Sequence, residues 1–171
     1  MGPILAIDPG STDSAYVVWD GQRLINFEKC GNETLLREIQ DALRSQTSLC
    51  IIEMIGHYGK GMPAGKSVFD TCVFIGRFGE RYGWNRVRVV LRATVKTHLC
   101  GSTKAKDGNV IQALKDRFGG RGTKANPGFW YGVSADVWQA AALAVTWWDQ
   151  EVDLKSLAVP GAVIEITEAV E

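Results

Sequence analysis

The sequence predicts an α/β domain built on a mixed five-stranded sheet, with its first three strands antiparallel and helices flanking the sheet. Three observations support this class. Short apolar segments of strand length open the chain, Asp20-Gly21 separates two of them as in a hairpin, and later strands alternate with segments of helical periodicity. The chain has 171 residues, 46% of them hydrophobic, which is enough to bury the core of one compact domain.

The predicted strands are short runs rich in apolar and β-branched residues. They lie at residues 3–8, 14–19, 22–28, 48–54 and 86–91. The run at 48–54 has a continuous apolar stretch, residues 49–52, as is typical of a central strand buried on both faces. Because the first three strands follow one another with only short turns between them, we expect them to form an antiparallel meander.

The predicted helices are recognised by their spacing of apolar residues and by their ends. They lie at residues 33–45, 66–82, 93–99, 107–118 and 134–149. Asn32 and Ser134 are the expected N-caps of the first and last helices, and Gly119-Gly120 is expected to end the fourth. Loops are expected at 55–65 and 119–132. We therefore expect one domain over residues 1–149, followed by an acidic, irregular tail over residues 150–171.

Several classes of protein are excluded by composition. No apolar run approaches the roughly 20 residues of a membrane helix, and the N-terminal segment lacks the basic start and cleavage site of a signal peptide. The four cysteines are scattered and the two histidines are far apart, which argues against a zinc site or a disulfide framework. We therefore expect a cytoplasmic protein with reduced thiols.

The charges are balanced in total but unevenly distributed. Of 19 Lys and Arg residues, 12 lie between Arg77 and Lys124, where only three of the 19 acidic residues are found. A basic segment of this kind can neutralise phosphates and attract a polyanion even when the whole chain is neutral. The alternative is an ordinary solvated helix face.

Three carboxylates are candidates for chemistry. Asp8 and Glu53 come at the ends of two predicted strands, and Asp136 comes in the first turn of the last predicted helix. Oxygen ligands of this kind suit Mg²⁺ or Mn²⁺, and two such ions about 4 Å apart can hydrolyse a phosphodiester. Taken singly, Asp8 is equally explained as a turn cap, Glu53 as a charge on an edge strand and Asp136 as a partner of the helix dipole.

The order of these motifs resembles one family of nucleases. The segment LAIDPGSTDSAYVVW resembles the opening strand, loop and second strand of the RuvC-type Holliday junction resolvases, bacterial and phage-borne enzymes with a ribonuclease H-like fold. The segments CIIEM and SADVWQAAALAVTWW resemble their later acidic motifs. The resemblance implies an endodeoxyribonuclease that resolves four-way DNA junctions by paired symmetric nicks, as a homodimer with two Mg²⁺ or Mn²⁺ ions per active site.

The resemblance also assigns roles to individual residues. Asp8, Glu53 and Asp136 fall on catalytic, metal-binding acids, and Gln139 falls on the second acid of the last motif, where the family has Asp. A glutamine oxygen can coordinate a metal, but it carries no charge and is not a general base. The segment from Arg92 to Phe118 resembles the family's two-lysine stretch, which places Lys96 near the scissile phosphate, with Lys106 or Lys104 as the second lysine.

Further residues have open interpretations. Apolar residues of the helix at 66–82 form either a dimer face or core: Val68, Phe69, Val73, Phe74 and Phe78. In the loop at 119–132, Phe129, Trp130 and Tyr131 lie beside basic residues and suit stacking on bases, with core packing expected for at least one of them. The glycine-rich loop that carries His57, Tyr58 and Lys60 either reaches a junction centre or is a plain connector.

Three other functions remain open at this stage. The loop after Asp8 also resembles the first phosphate loop of actin-like ATPases and sugar kinases, although those proteins need two such domains. Gln139 suggests a junction-binding protein that does not cleave. A related ribonuclease H-like family, which processes ribosomal RNA, opens with a similar loop.

Overall fold

The protein is built on a single five-stranded sheet. The computed structural model describes residues 2–56 and 65–157. The strands are β1 Ile4–Asp8, β2 Asp13–Trp19, β3 Leu24–Gly31, β4 Leu49–Met54 and β5 Val87–Leu91, in the spatial order β3-β2-β1-β4-β5. The pairs β1–β2 and β2–β3 are antiparallel, whereas β1–β4 and β4–β5 are parallel. The predicted mixed sheet is confirmed.

Helices follow the strands in the predicted order. Residues 32–46 are helical throughout, as α1 Asn32–Thr34, a π-helical segment Leu35–Ile39 and α2 Gln40–Gln46; the later helices are α3 Lys66–Tyr82, α4 Arg92–Cys100, α5 Asp107–Phe118 and α6 Val137–Leu157. A single 3₁₀ turn, Trp84–Arg86, precedes β5. Within the described ranges, no helix combines the length and apolarity that crossing a membrane requires.

Two hydrophobic layers cover the two faces of the sheet. Successive side chains of a strand point to opposite faces, so Leu5 and Ile7 of β1 pack with residues of the 32–46 helix and α3, while Ile4 and Ala6 pack with α6. Four buried alanines of α6 face this second layer: Ala140, Ala141, Ala142 and Ala144. Their small side chains let α6 lie close to the central strands.

The β2–β3 hairpin forms where Asp20-Gly21 predicted it. Asp20 Oδ1 accepts hydrogen bonds from the backbone N–H groups of Gln22 and Arg23, both at 2.8 Å. Gly21 has a φ of 97°, which disfavours residues with a Cβ. A Cβ at Gly21 would also overlap the Trp148 ring, so this glycine serves both the turn and the packing of α6.

The structure corrects both predicted N-caps. Gly31 is the N-cap residue of the first helix, and Asn32 is its first helical residue, because the Asn32 side-chain amide bonds Gly10 in the loop after β1 and Ser14 in β2. The last helix begins at Val137, three residues after Ser134. Ala135 between them has a φ of 44°, a left-handed conformation that interrupts a right-handed helix.

The end of the last helix also differs from the prediction. We expected an irregular chain from Gln150, but α6 continues to Leu157, so that expectation is wrong for residues 150–157. This stretch contains no Pro or Gly to end the helix. The rest of the expected tail lies outside the described residues, as do His57, Tyr58 and Lys60.

The aromatic residues before α6 are mostly core. Trp130 is fully buried; its ring packs at 4.7–5.6 Å between centroids against three others, those of Phe118, Phe129 and Trp138. Its indole N–H donates to the carbonyl oxygen of Leu114 at 3.3 Å. Tyr131 is 44% exposed. Core packing of at least one of the three neighbouring aromatics is therefore confirmed, and Tyr131 remains available for stacking.

We predict that Trp130→Ala lowers the free energy of unfolding by about 3–5 kcal/mol, because it removes a large buried ring and leaves a cavity. Tyr131→Ala is the matched control, since it changes the adjacent exposed ring and is expected to stay within about 0.5 kcal/mol of the parent. Urea denaturation of the three proteins measures the difference. Equal losses in both variants would contradict the assignment of Trp130 to the core.

Candidate active site

Two carboxylates lie side by side at one edge of the sheet. The parallel β1–β4 register pairs Ile7 with Ile52, so the next residues, Asp8 and Glu53, are neighbours across the ladder. The alternation of the strands directs both side chains to the face covered by α6. Asp8 and Glu53 line a cavity of about 220 Å³ at this edge, together with residues 54–56 and Arg92.

The loop after β1 is held by a buried asparagine. The Asn32 side-chain N–H donates to the carbonyl oxygen of Gly10 at 2.9 Å, and the Ser14 hydroxyl donates to Asn32 Oδ1 at 2.6 Å. A Cβ at Gly10 would overlap the carbonyl oxygen of Asp13, so only glycine fits the tight turn. Together these contacts fix the backbone that carries Asp8 into the cavity.

The third predicted acid lies at the start of α6. Asp136 directly precedes this helix, and its carbonyl oxygen accepts the N–H of Ala140 at 3.2 Å. Its carboxylate forms a 2.6 Å ion pair with Lys29 on β3. The Asp136 charge raises the pKa of Asp8, while its own carboxylate is bonded to Lys29.

Ionisation of both Asp8 and Glu53 is electrostatically unfavourable. Burial and the nearby Glu53 carboxylate raise the pKa of Asp8 from 3.8 to about 7. Burial also raises the pKa of Glu53, although the Arg92 guanidinium opposes the shift. In the part of the chain that the structure describes, the Asp8 carboxylate accepts no hydrogen bond and forms no direct ion pair. The Asp8 carboxylate is therefore available to a bound cation, which would neutralise its charge.

Arg92 is a site residue that the sequence analysis did not single out. It is the first residue of α4, directly after β5, and its guanidinium donates to Glu53 Oε2 at 3.1 Å and Asp107 Oδ1 at 2.7 Å. It also donates to Gln139 Oε1. The signal was present in the sequence, because β5 was predicted to end at residue 91, and parallel strands present their carboxyl ends at one edge.

The two predicted lysines have different surroundings. Lys96 lies one helical turn after Arg92; its Nζ is 3.9 Å from Asp107 Oδ1, and its charge lowers the pKa of Glu53. Lys106 precedes α5 and is exposed, as is Lys104. Lys96 is therefore the lysine that the fold brings to the acids, while Lys104 and Lys106 extend the basic surface beside them.

The donor atoms fit one cation better than two. Of the four predicted ligands, Asp8 and Glu53 line the cavity, whereas Asp136 and Gln139 are not among its lining residues. No group of three or more His, Cys, Asp or Glu in the described ranges could hold a metal ion. Asp136 is paired with Lys29 and Gln139 with Arg92. Asp8 and Glu53 remain, and Mg²⁺ is commonly bound by one or two carboxylates, with substrate phosphates and water completing its shell.

We predict that Asp8→Asn raises the free energy of unfolding near pH 8 in chelator, and that this gain disappears as the pH falls towards 4. The folded-state pKa of Asp8, about 7, lies above its ordinary value of 3.8, so ionisation of Asp8 destabilises the folded parent. This destabilisation is absent below pH 3.8, grows as the pH rises and is complete above pH 7. Urea denaturation across this range measures the effect. The exposed Glu80→Gln is the control, and a gain independent of pH would contradict the prediction.

Comparisons with solved structures place the fold. The structure of Thermus thermophilus RuvC aligns with a TM-score of 0.64 and 16% identity, over 88% of this chain and 96% of that one. T. thermophilus RuvC in complex with Holliday junction substrate aligns with a TM-score of 0.63 and 17% identity, over 90% and 97%. No family model and no curated protein matches the sequence. The chain therefore has the fold of RuvC.

Proposed function

We propose that the protein binds four-way DNA junctions and cleaves them by hydrolysing phosphodiester bonds. The observation that carries this proposal is the Asp8–Glu53 pair, two neighbouring half-buried carboxylates at the strand ends of a RuvC fold. Burying two such acids is costly for folding, because the Arg92 charge lowers the pKa of Asp8 only in part and burial together with Glu53 still raises it to about 7. A cost of this kind is typical of a site selected for activity rather than stability.

The chemistry follows from the groups around the pair. A Mg²⁺ or Mn²⁺ ion held by Asp8 and Glu53 would polarise the phosphate and lower the pKa of a bound water. Arg92 fixes the orientation of Glu53, and the Asn32 contacts fix the loop that carries Asp8. Lys96 supplies a positive charge beside Glu53, where negative charge develops on the phosphate oxygens during hydrolysis.

The proposed substrate is branched DNA. The basic segment from Arg77 to Lys124 runs from α3 to the loop before α6, and exposed cations lie along it: Lys104, Lys106, Arg121 and Lys124. Phosphate binding by such residues holds nucleic acid without reading its sequence. A four-way junction is the proposed form of that DNA because the similar T. thermophilus RuvC was solved with a Holliday junction substrate.

A homodimer suits this substrate, because a two-fold junction has two equivalent strands to cut. Of the apolar residues predicted for a dimer face on α3, Phe74 and Phe78 are buried in the core, whereas Phe69 is 61% and Val73 60% exposed. We propose that Phe69 and Val73 contribute to the interface, since exposed apolar residues of this size are typical of contact surfaces.

A second candidate function is junction binding without cleavage. It is favoured by one observation, the Arg92 guanidinium bonded to both Glu53 and Gln139, because this arrangement occupies two of the four predicted ligands. The remaining alternatives, an RNA-processing nuclease and an actin-like ATPase, are distinguished by the substrate that the protein uses.

We predict paired, symmetric nicks in a labelled four-way junction, with Mg²⁺ or Mn²⁺ and not with chelator. Linear duplex and an RNA–DNA hybrid are the comparison substrates. Asp8→Asn and Glu53→Gln should each lower the rate by about 10²–10³-fold or more while retaining junction binding, since each removes a carboxylate that would hold the metal ion, and the ion would stabilise charge in the transition state. Binding without cutting would support the second candidate, and cleavage of the hybrid alone would support the RNA-processing one.

We predict that the parent protein is a dimer by light scattering and that Phe69→Glu shifts it to monomer, because the substitution introduces a charge into an apolar interface. Ile25→Glu is the control, since Ile25 on β3 is 46% exposed and lies outside the proposed face. A monomeric parent, or a Phe69→Glu variant that remains dimeric, would contradict this interface.

A further inference from the structure

The candidate site already contains a fixed cation of its own. The Arg92 side chain is 21% exposed and that of its partner Glu53 14%, so the pair is well shielded from water. The guanidinium joins β4, α5 and α6 through Glu53, Asp107 and Gln139. Three acceptors from three elements define one position for this group. Because an arginine stays protonated at any accessible pH, the positive charge is permanent.

The Arg92 guanidinium bonds side-chain oxygens of two of the four predicted metal ligands. Glu53 Oε2 and Gln139 Oε1 both accept from this guanidinium. A divalent cation bound between the same two oxygens would have to displace Arg92, since both need the same lone pairs and repel each other at close range. On the other side of the pair, Asp8 has no such competitor among the described residues.

The identity of residue 139 points the same way. Glutamine is neutral, where the resemblance described above places an acid, so it attracts a divalent cation less than aspartate would. It is also one methylene longer than asparagine and reaches the guanidinium. The neutral Gln139 amide and the Arg92 guanidinium together remove negative charge from the Glu53–Gln139 side of the site, whereas Asp8 feels Arg92 only at a distance, as an influence that lowers its pKa.

We propose that Arg92 takes the place of the second divalent cation, so that the protein binds one such ion per chain, at Asp8 and Glu53. Arg92 is on this basis a positioning residue that holds Glu53 and closes the Gln139 side. This assignment reduces the expected number of bound ions from two to one. It rests on the proposed function only in giving the remaining ion a role in cleavage.

The test measures Mn²⁺ bound to the full chain, without DNA, by electron paramagnetic resonance and calorimetry up to millimolar Mn²⁺. We expect one ion per parent chain and two in the double variant Arg92→Gln, Gln139→Asp. Arg92→Lys keeps the charge and should stay at one, as should the control Arg88→Gln, whose guanidinium bonds, within residues 2–56 and 65–157, only the nearby carbonyl groups of Asn85 and Val87. Circular dichroism confirms that each variant is folded.

Three results would overturn the inference: two ions in the parent, none in the parent, or one ion in a folded double variant. These outcomes are independent of cleavage. A parent that binds one ion and does not cut junctions leaves the inference standing and removes the proposed function. A parent that cuts junctions and binds two ions does the opposite.

Discussion

The parallel register of β1 and β4 is the constraint on which the candidate site depends. It sets two carboxylates next to each other at a half-buried sheet edge, where each disfavours ionisation of the other. The surrounding groups offset this repulsion from outside: Arg92 bonds Glu53, Lys96 lies one turn further along α4, and Lys29 holds Asp136. The positions of these cations therefore follow from the strand pairing. Of the three carboxylates Asp8, Glu53 and Asp136, only Asp8 lacks a direct ion pair within the described residues.

Much of the fold is predictable because it depends on local patterns. The alternating and continuous apolar runs gave the five strands, and Asp20-Gly21 gave the hairpin. Helices α3 and α5 begin and end at the predicted residues, α5 because Gly119 ends it with a φ of 97°. The ends of other helices depend on tertiary contacts. Asn32 is recruited by Gly10 and Ser14, 22 and 18 residues away, which no local capping rule detects.

The site was partly predictable for the same reason. Asp8 and Glu53 follow from strand ends, and a charged residue directly after β5 could have been added by extending that rule to Arg92. The Asp136–Lys29 pair spans 107 residues and has no sequence signature. Gln139 was noticed through its departure from a family motif, but its partner became visible only in three dimensions. The sequence therefore predicted where the strands and helices lie, but not which side chains of the site pair with one another.

The bonds of Arg92 also have a consequence for how the chain folds. They connect positions separated by 39, 15 and 47 residues, and the last partner belongs to α6, the final described helix. Contacts of such high sequence separation form late, because the entropy of closing long loops must be met first. During synthesis from the N-terminus, Asp8 and Glu53 emerge well before Arg92 and α6. The acidic edge of the sheet is therefore completed last, and truncation before α6 would leave it open.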